Sequence, residues 1–416
     1  MTTDAVAITD NLEKELKELI SGIGIVIDDK IFDAGEDQIK KIIEKLEEEH
    51  ISFVKYTKLP IEEQRGNLYG ASFVILDWEL WSGEEVGAPG ATTMKEHAKE
   101  ENAEFIKCMK NDYFCPVFIF SNASKDEIED FLKSKSVDMS MVFVKPKSEL
   151  VSEGLDVLDE VTKWFKENPD VYVLKKWERN YRKAKSSLFK EFSEISSRWT
   201  EILWETYGDD GVDASEELHK FILKNVETRC ALPIFNQSII MKDEQEDQGT
   251  QVDENVMQKV LEGQYFVKNE YLNSNQVMTG DIFEAGDEFF INIRPACDCI
   301  VRGDNTADTK PTVYLLKGEI LPYKDAKKQY EKKYGLIRMK DISEITLPIR
   351  VKGEEGTFEF IEWHFKNIYQ KEYDDTLKQQ RIGRLLSPYI DRLQQRHSLH
   401  IQRQGMPRIP KKLFSK

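Results

Sequence analysis

Five positions in the first part of the chain combine residue type and setting in a way that could do chemistry: Asp28, Asp29, Asp77, Ser121 and Lys145. Each follows directly on a short apolar run. Ile23-Gly24-Ile25-Val26-Ile27 halts at Asp28-Asp29, Phe73-Val74-Ile75-Leu76 at Asp77, Pro116-Val117-Phe118-Ile119-Phe120 at Ser121, and Met141-Val142-Phe143-Val144 at Lys145. Two acids side by side suit a hard, oxygen-seeking cation such as Mg²⁺, which keeps several waters and bridges to phosphate oxygens. A further carboxylate can attack phosphorus and become an acyl phosphate, while an ammonium and a hydroxyl take up the new charge. An Mg²⁺-dependent phosphoryl acceptor needs this combination.

Residues this far apart act together only if the fold brings them together. Between the apolar runs lie helical patterns: Gln38 to Glu49, Lys95 to Met109, Lys125 to Lys135 and Glu149 to Lys166, with Ile51 to Lys58 as a further strand. Strands alternating with helices imply a parallel sheet covered on both faces. In such a doubly wound domain, ligands bind outside the carboxyl ends of the strands, where all five positions fall.

IVIDD, VILDW, FIFSN and FVKP occur in this order, each at the end of its strand, and in this the chain resembles the receiver domains of two-component response regulators over roughly residues 21–168. The resemblance implies a flavodoxin-like, five-stranded α/β fold. It implies Asp28 and Asp29 as the acidic metal pair, Asp77 as the phosphoacceptor and as a metal ligand, and Trp78 as a contributor to the metal through its backbone carbonyl. Ser121 takes the place of the switch hydroxyl, Lys145 that of the site lysine, and Phe143 that of the aromatic two residues earlier. Glu79 stands where family members tune dephosphorylation. The implied cofactor is Mg²⁺ and the implied partner a sensor histidine kinase. The stretch Glu79 to Asn111, with Gly83, Gly87, Pro89 and Gly90, is longer than an ordinary receiver allows. A receiver fold that has lost its chemistry is the alternative.

The rest of the chain carries fewer signals. Residues 1–20 read as an N-terminal helical extension, 169–240 as a helical linker or bundle, 241–255 as an acidic loop, 256–376 as an α+β domain with a mostly antiparallel β subdomain, and 377–416 as a basic amphipathic helix and tail. From Trp177 a seam of Tyr181, Ala184, Leu188, Phe192, Ile195, Trp199 and Ile202 predicts one long helix, its stripe serving either a homodimer contact or its own core. Hairpins are expected at Glu284-Ala285-Gly286-Asp287 and Lys352-Gly353-Glu354-Glu355-Gly356, strands at Thr312 to Leu316, Ile345 to Val351 and Thr357 to Trp363, and helices at Tyr323 to Tyr334 and Asp374 to Gln402, the last kinked by Pro388. Cys297 and Cys299, read as sitting on a strand, would point to opposite faces, and His364, His397 and His400 add no ligand spacing to them.

Composition narrows the function class. The 416 residues carry a formal charge of −17, which argues against nucleic acid or an anionic membrane as partner. Lys378 to Lys416 nonetheless carries +9, so residues 1–377 carry −26, and the tail reads as a protein contact. No apolar run approaches the roughly 18 residues of a membrane helix, the first ten residues lack signal-peptide character, and five scattered cysteines form no disulfide framework. A cytoplasmic location is expected. RIGRLLSPYIDRLQQRHSLHIQRQGMPRIP and GDIFEAGDEFFINIRPACDC resemble the C-terminal region of receiver proteins in bacterial anti-phage two-component systems of the Detocs type. That resemblance implies a phosphate sink that drains signal from the kinase, alongside a separate receiver-linked effector, rather than an enzyme. The alternatives are an effector with an unread C-terminal activity and a scaffold with an inert receiver.

Overall fold

A computed structural model describes residues 15–33, 37–80, 91–147, 149, 157–241, 254–273, 275–301, 310–328, 330–333, 336–339 and 360–402. Contacts divide the chain into two units: residues 1–191 with 226–247, and residues 192–225 with 248–416. The helical segment expected over 169–240 is therefore shared between them. The acidic loop lies almost wholly outside the described residues, as do the Lys352-to-Gly356 hairpin, the strand expected at Ile345 to Val351 and the tail beyond Gln402.

In the first unit, strands β1 (Ile23–Ile27), β2 (Ser52–Tyr56), β3 (Val74–Leu76), β4 (Val117–Ser121) and β5 (Val142–Pro146) form one sheet in the order β2-β1-β3-β4-β5. Every pairing is parallel. This is the doubly wound, receiver-like arrangement expected from the sequence. Helices α1 (Asp37–Glu48), α2 (Ala91–Asn111), α3 (Lys125–Ser134), α4 (Val157–Glu167) and α5 (Pro169–Glu194) follow in chain order. Alternate strand residues feed two cores: Val26, Ile75, Phe118 and Phe120 join α1 and α4 residues on one face. Ile25, Ile27, Val74, Leu76, Val117 and Ile119 join α2 and α3 residues on the other. Burial on both faces is why these strands are continuous apolar runs rather than alternating ones.

The single long helix expected from Trp177 is two helices, α5 and α6 (Arg198–Asp209). Ser196 and Ser197 separate them, and the Ser196 hydroxyl accepts from the Arg198 N–H at 3.3 Å. Short hydroxyl side chains compete with the helix for its own backbone donors. Within the second unit, Phe192 and Trp199 then meet at 5.0 Å and Phe192 stacks on Phe221 of α7 (Ala214–Arg229) at 6.0 Å, so this end of the seam closes on its own chain.

The second unit, after α8 (Glu254–Glu262), holds an antiparallel sheet of six strands in the order β12-β9-β8-β7-β13-β6. These are β6 (Phe266–Lys268), β7 (Asp281–Ala285), β8 (Glu288–Asn292), β9 (Thr312–Leu321), β12 (Phe360–Glu372) and β13 (Arg381–Leu385). Gly286, at φ 66, makes the expected β7–β8 turn. Of the helix expected over residues 323–334, Tyr323–Lys327 alone is helical among the described residues; the hairpin of β10 (Tyr330–Lys333) with β11 (Leu336–Met339) follows. The terminal helix also starts later than expected. α9 (Asp375–Gln380) leads into β13, and α10 (Tyr389–Ile401) begins after Pro388, which caps it instead of kinking it. β13 is a strand because Arg381, Gly383 and Leu385 alternate inward, and because Gly383 lets it lie against β6, where a Cβ would stand 2.3 Å from the Val267 carbonyl oxygen. Fully buried Asp281 accepts from Arg384 Nε at 2.5 Å and Arg381 Nη1 at 3.3 Å, locking β13 to β7. Cys297 and Cys299 sit on the 3₁₀ turn Ala296–Cys299 rather than on a strand, the first exposed and the second buried.

Candidate functional site

The parallel sheet brings the sequence-predicted acids together at its carboxyl end. Asp28 begins the loop after β1, and its N–H donates to the Tyr56 carbonyl at 3.0 Å. Asp77 leaves β3 with its N–H donating to the Ile27 carbonyl at 2.8 Å, which fixes it beside the acidic pair. Ligand oxygens of Asp28, Asp29 and Asp77 all lie within 4.8 Å of one another, the only such group of metal-ligating side chains among the described residues. Asp28 and Asp77 are buried, and Asp29 is half-buried.

The cation facing them is Lys147. Its Nζ lies 2.6 Å from Asp28 Oδ2 and 2.8 Å from Asp77 Oδ2, with the lysine only 4% exposed. The expected Lys145 is elsewhere: it pairs with the buried Glu160 of α4 at 2.9 Å. Strand geometry explains the correction. β5 runs through Pro146, so Lys145 is still inside the strand and shares the α4-facing side with Phe143, two residues earlier. Lys147 is the first residue past the strand end, where site residues gather.

The remaining expected positions fall as follows. Ser121 ends β4 fully buried, its Oγ accepting from the Ala123 N–H at 3.3 Å. Phe143 is half-buried between the rings of Phe118 and Phe120, at 6.1 and 6.3 Å, and belongs to the core under α4. Glu79 is exposed, and its N–H donates to Asp77 Oδ1 at 3.1 Å. The Trp78 carbonyl accepts from Asn102 Nδ2 at 2.9 Å, which leaves at most its second lone pair for a cation.

Asn102 and Lys147 are the two site residues that sequence reasoning missed. Asn102 lies on α2, three and four residues before the fully buried Phe105 and Ile106, and is itself 1% exposed. A lone asparagine on an apolar helix face was the available signal. For Lys147 the signal was its place directly after the strand-terminating Pro146.

Electrostatics favour a cation here. Burial, reinforced by Asp28, pushes the Asp77 carboxyl up to about 6 in spite of Lys147. Burial and Asp28 likewise raise Asp29. Burial works against the charge on Lys147, but the two carboxylates outweigh it and hold its pKa above the ordinary value. Three carboxylates with one ammonium leave two negative charges when all are ionised, all on oxygen donors. The cluster therefore fits one divalent metal ion with a preference for oxygen ligands.

No family model and no curated protein matches the chain. Among solved structures it is similar to a fusion carrying the yeast Spc42 trimeric coiled coil, with 13% identity over 42% of this chain and 100% of that chain. The TM-score of 0.23 is too low to relate the folds. Among the described residues, no helix is long and apolar enough to cross a membrane.

Proposed function

We propose that this protein is a phosphoryl-accepting response regulator with Asp77 as acceptor, Mg²⁺ as cofactor and a histidine kinase as donor. The observation that carries this reading is the convergence of Asp28, Asp29, Asp77 and Lys147 at the carboxyl ends of a receiver-like parallel sheet, with the Ser121 hydroxyl ending the adjacent strand. A carboxylate oxygen of Asp77 attacks phosphorus, and the bond from phosphorus to the donor's nitrogen or oxygen breaks. The electron pair departs with the donor, which takes its proton from solvent. Asp28, Asp29 and Asp77 would hold the Mg²⁺, which would supply charge neutralisation for the phosphoryl oxygens. Lys147 is the ammonium for the new charge: an Asp77 oxygen that becomes the bridging oxygen of the acyl phosphate weakens its present bond and turns the lysine toward the phosphoryl group. Ser121 offers a hydroxyl donor at the end of β4.

Within this reading the protein acts as a phosphate sink in bacterial anti-phage signalling. Support comes from the resemblance of the C-terminal stretches and from the second unit, where Asp281, Arg381 and Arg384 satisfy one another as structural clamps. Incubation with acetyl phosphate, followed by intact mass measurement, tests the acceptor. One phosphoryl adduct is expected with Mg²⁺ and none with a chelator or in Asp77→Asn. An adduct that survives Asp77→Asn overturns the assignment. A phosphorylated form that gains a catalytic or toxic activity overturns the sink.

A further inference from the structure

A polar cavity lies at the opposite end of the parallel sheet from the acidic cluster. It occupies about 530 Å³ and is walled by the α5 side chains Lys175, Glu178, Arg179, Arg182 and Lys183 together with Ser72. Its floor is the backbone at Gly22, whose φ of 139° suits glycine alone. Any Cβ there would stand 1.9 Å from the Ser72 hydroxyl oxygen, and Arg182 Nη1 lies 3.8 Å from the same point. The backbone is thus bare where the guanidinium and hydroxyl approach.

The charges round this cavity do not balance. Lys175, only 4% exposed, and Arg182 share one carboxylate, Glu178, at 3.2 and 2.5 Å. Arg179 pairs with Glu18. Lys183, exposed on the next position of α5, has no acid within ion-pair distance among the described residues. Among the described residues, four cations face two carboxylates here, a surplus of two positive charges in a chain of net −17. Buried Lys175 is met by Glu178 and by the Phe114 ring at 5.4 Å, so the surplus falls on Arg182 and Lys183 at the cavity wall, where a bound anion offsets it.

We propose that this cavity binds a small oxyanion: inorganic phosphate, or the phosphate of a small monoester. Lys183 and Arg182 supply the charge and the donors, while the Ser72 hydroxyl, whose own proton goes to the Ser21 carbonyl at 3.0 Å, only borders the site. The site is separate from the acidic cluster. β1 runs five residues from beside Gly22 to Asp28, about 17 Å of strand at about 3.3 Å per residue. Because the cavity walls include the residues that precede β1 and β3, an anion here grips the roots of the two strands that carry the acids.

Isothermal titration of the full chain in chelator, with inorganic phosphate and in parallel with glycerol phosphate against matched ionic strength, tests the proposal. Saturable binding is expected, tighter for whichever form the site serves. Lys183→Glu and Arg182→Gln should each weaken it by about tenfold or more. Lys183 is exposed, so its variant should keep the parent's unfolding midpoint. Asp77→Asn should bind as the parent does, which keeps this test independent of the phosphoacceptor reading. No saturable binding, binding unchanged by both cavity variants, or binding abolished by Asp77→Asn would each overturn it.

Discussion

Replacing Asp77 with asparagine should change how the stability of the first unit depends on pH. In the native protein the Asp77 carboxyl lies between Asp28 and Lys147, and burial, the largest influence, lifts it from 3.8 to about 6. A carboxyl raised on folding favours the folded state when protonated. Its favourable contribution is complete below about pH 3.8 and is lost as pH rises through about 6. At about 1.36 kcal/mol per pH unit, that interval corresponds to about 3 kcal/mol. The substituted asparagine does not titrate, and Asp28 and Asp29 remain in both proteins. The parent should therefore lose about 3 kcal/mol relative to Asp77→Asn between about pH 4 and pH 6 in chelator. Hydrogen-exchange protection of the β1 and β3 amides, corrected for intrinsic exchange, reads this difference directly. Saturating Mg²⁺ above pH 6 should restore the parent, because a cation bound to the ionised acids stabilises only the folded state. A pH-independent difference, or one that moves in the parent's favour as pH rises, would show that burial does not raise the Asp77 carboxyl.

Three further outcomes follow from the same geometry, and a fourth from the packing beneath it. Lys147→Met should slow phosphoryl acceptance from acetyl phosphate by about tenfold or more, the scale of a lost charge stabiliser. Lys145→Met should leave acceptance near the parent's and cost about 1–3 kcal/mol in urea unfolding, because Glu160 is left buried without its partner; the opposite ranking would return the site role to Lys145. Asn102→Ala removes the donor to the Trp78 carbonyl and should cost a similar amount, about 1–3 kcal/mol, with a shift in tryptophan emission on Mg²⁺ addition relative to the parent. Gly24→Ala places a Cβ 2.1 Å from the Phe73 ring, and should destabilise the first unit by about 1–3 kcal/mol in the same unfolding measurement.

The parallel sheet was legible because its strands are buried on both faces and end in polar residues, so strand, boundary and site were marked by the same letters. Asp28, Asp29 and Asp77 could be placed together on that basis. Lys145 could not be told from Lys147, because an apolar run shows where a strand begins more sharply than where it ends, and a lysine-proline pair lies inside β5. The second unit was harder for a physical reason. β13 carries two arginines and a glycine in five residues, and its strand character comes from Asp281 and from the close approach of β6, both distant in sequence. The seam from Trp177 kept its helical spacing across Ser196 and Ser197, where local hydroxyl bonding ends the helix without altering the apolar period.

A response regulator of this design requires Asp77 to become an acyl phosphate. Borohydride reduces that linkage to an alcohol, converting the aspartate to homoserine, which peptide mass mapping locates. After treatment with acetyl phosphate and Mg²⁺, homoserine is expected at position 77 alone, and is lost when Mg²⁺ is withheld. Homoserine at any other acid, or none at position 77 in a protein that has gained a phosphoryl group, would contradict it.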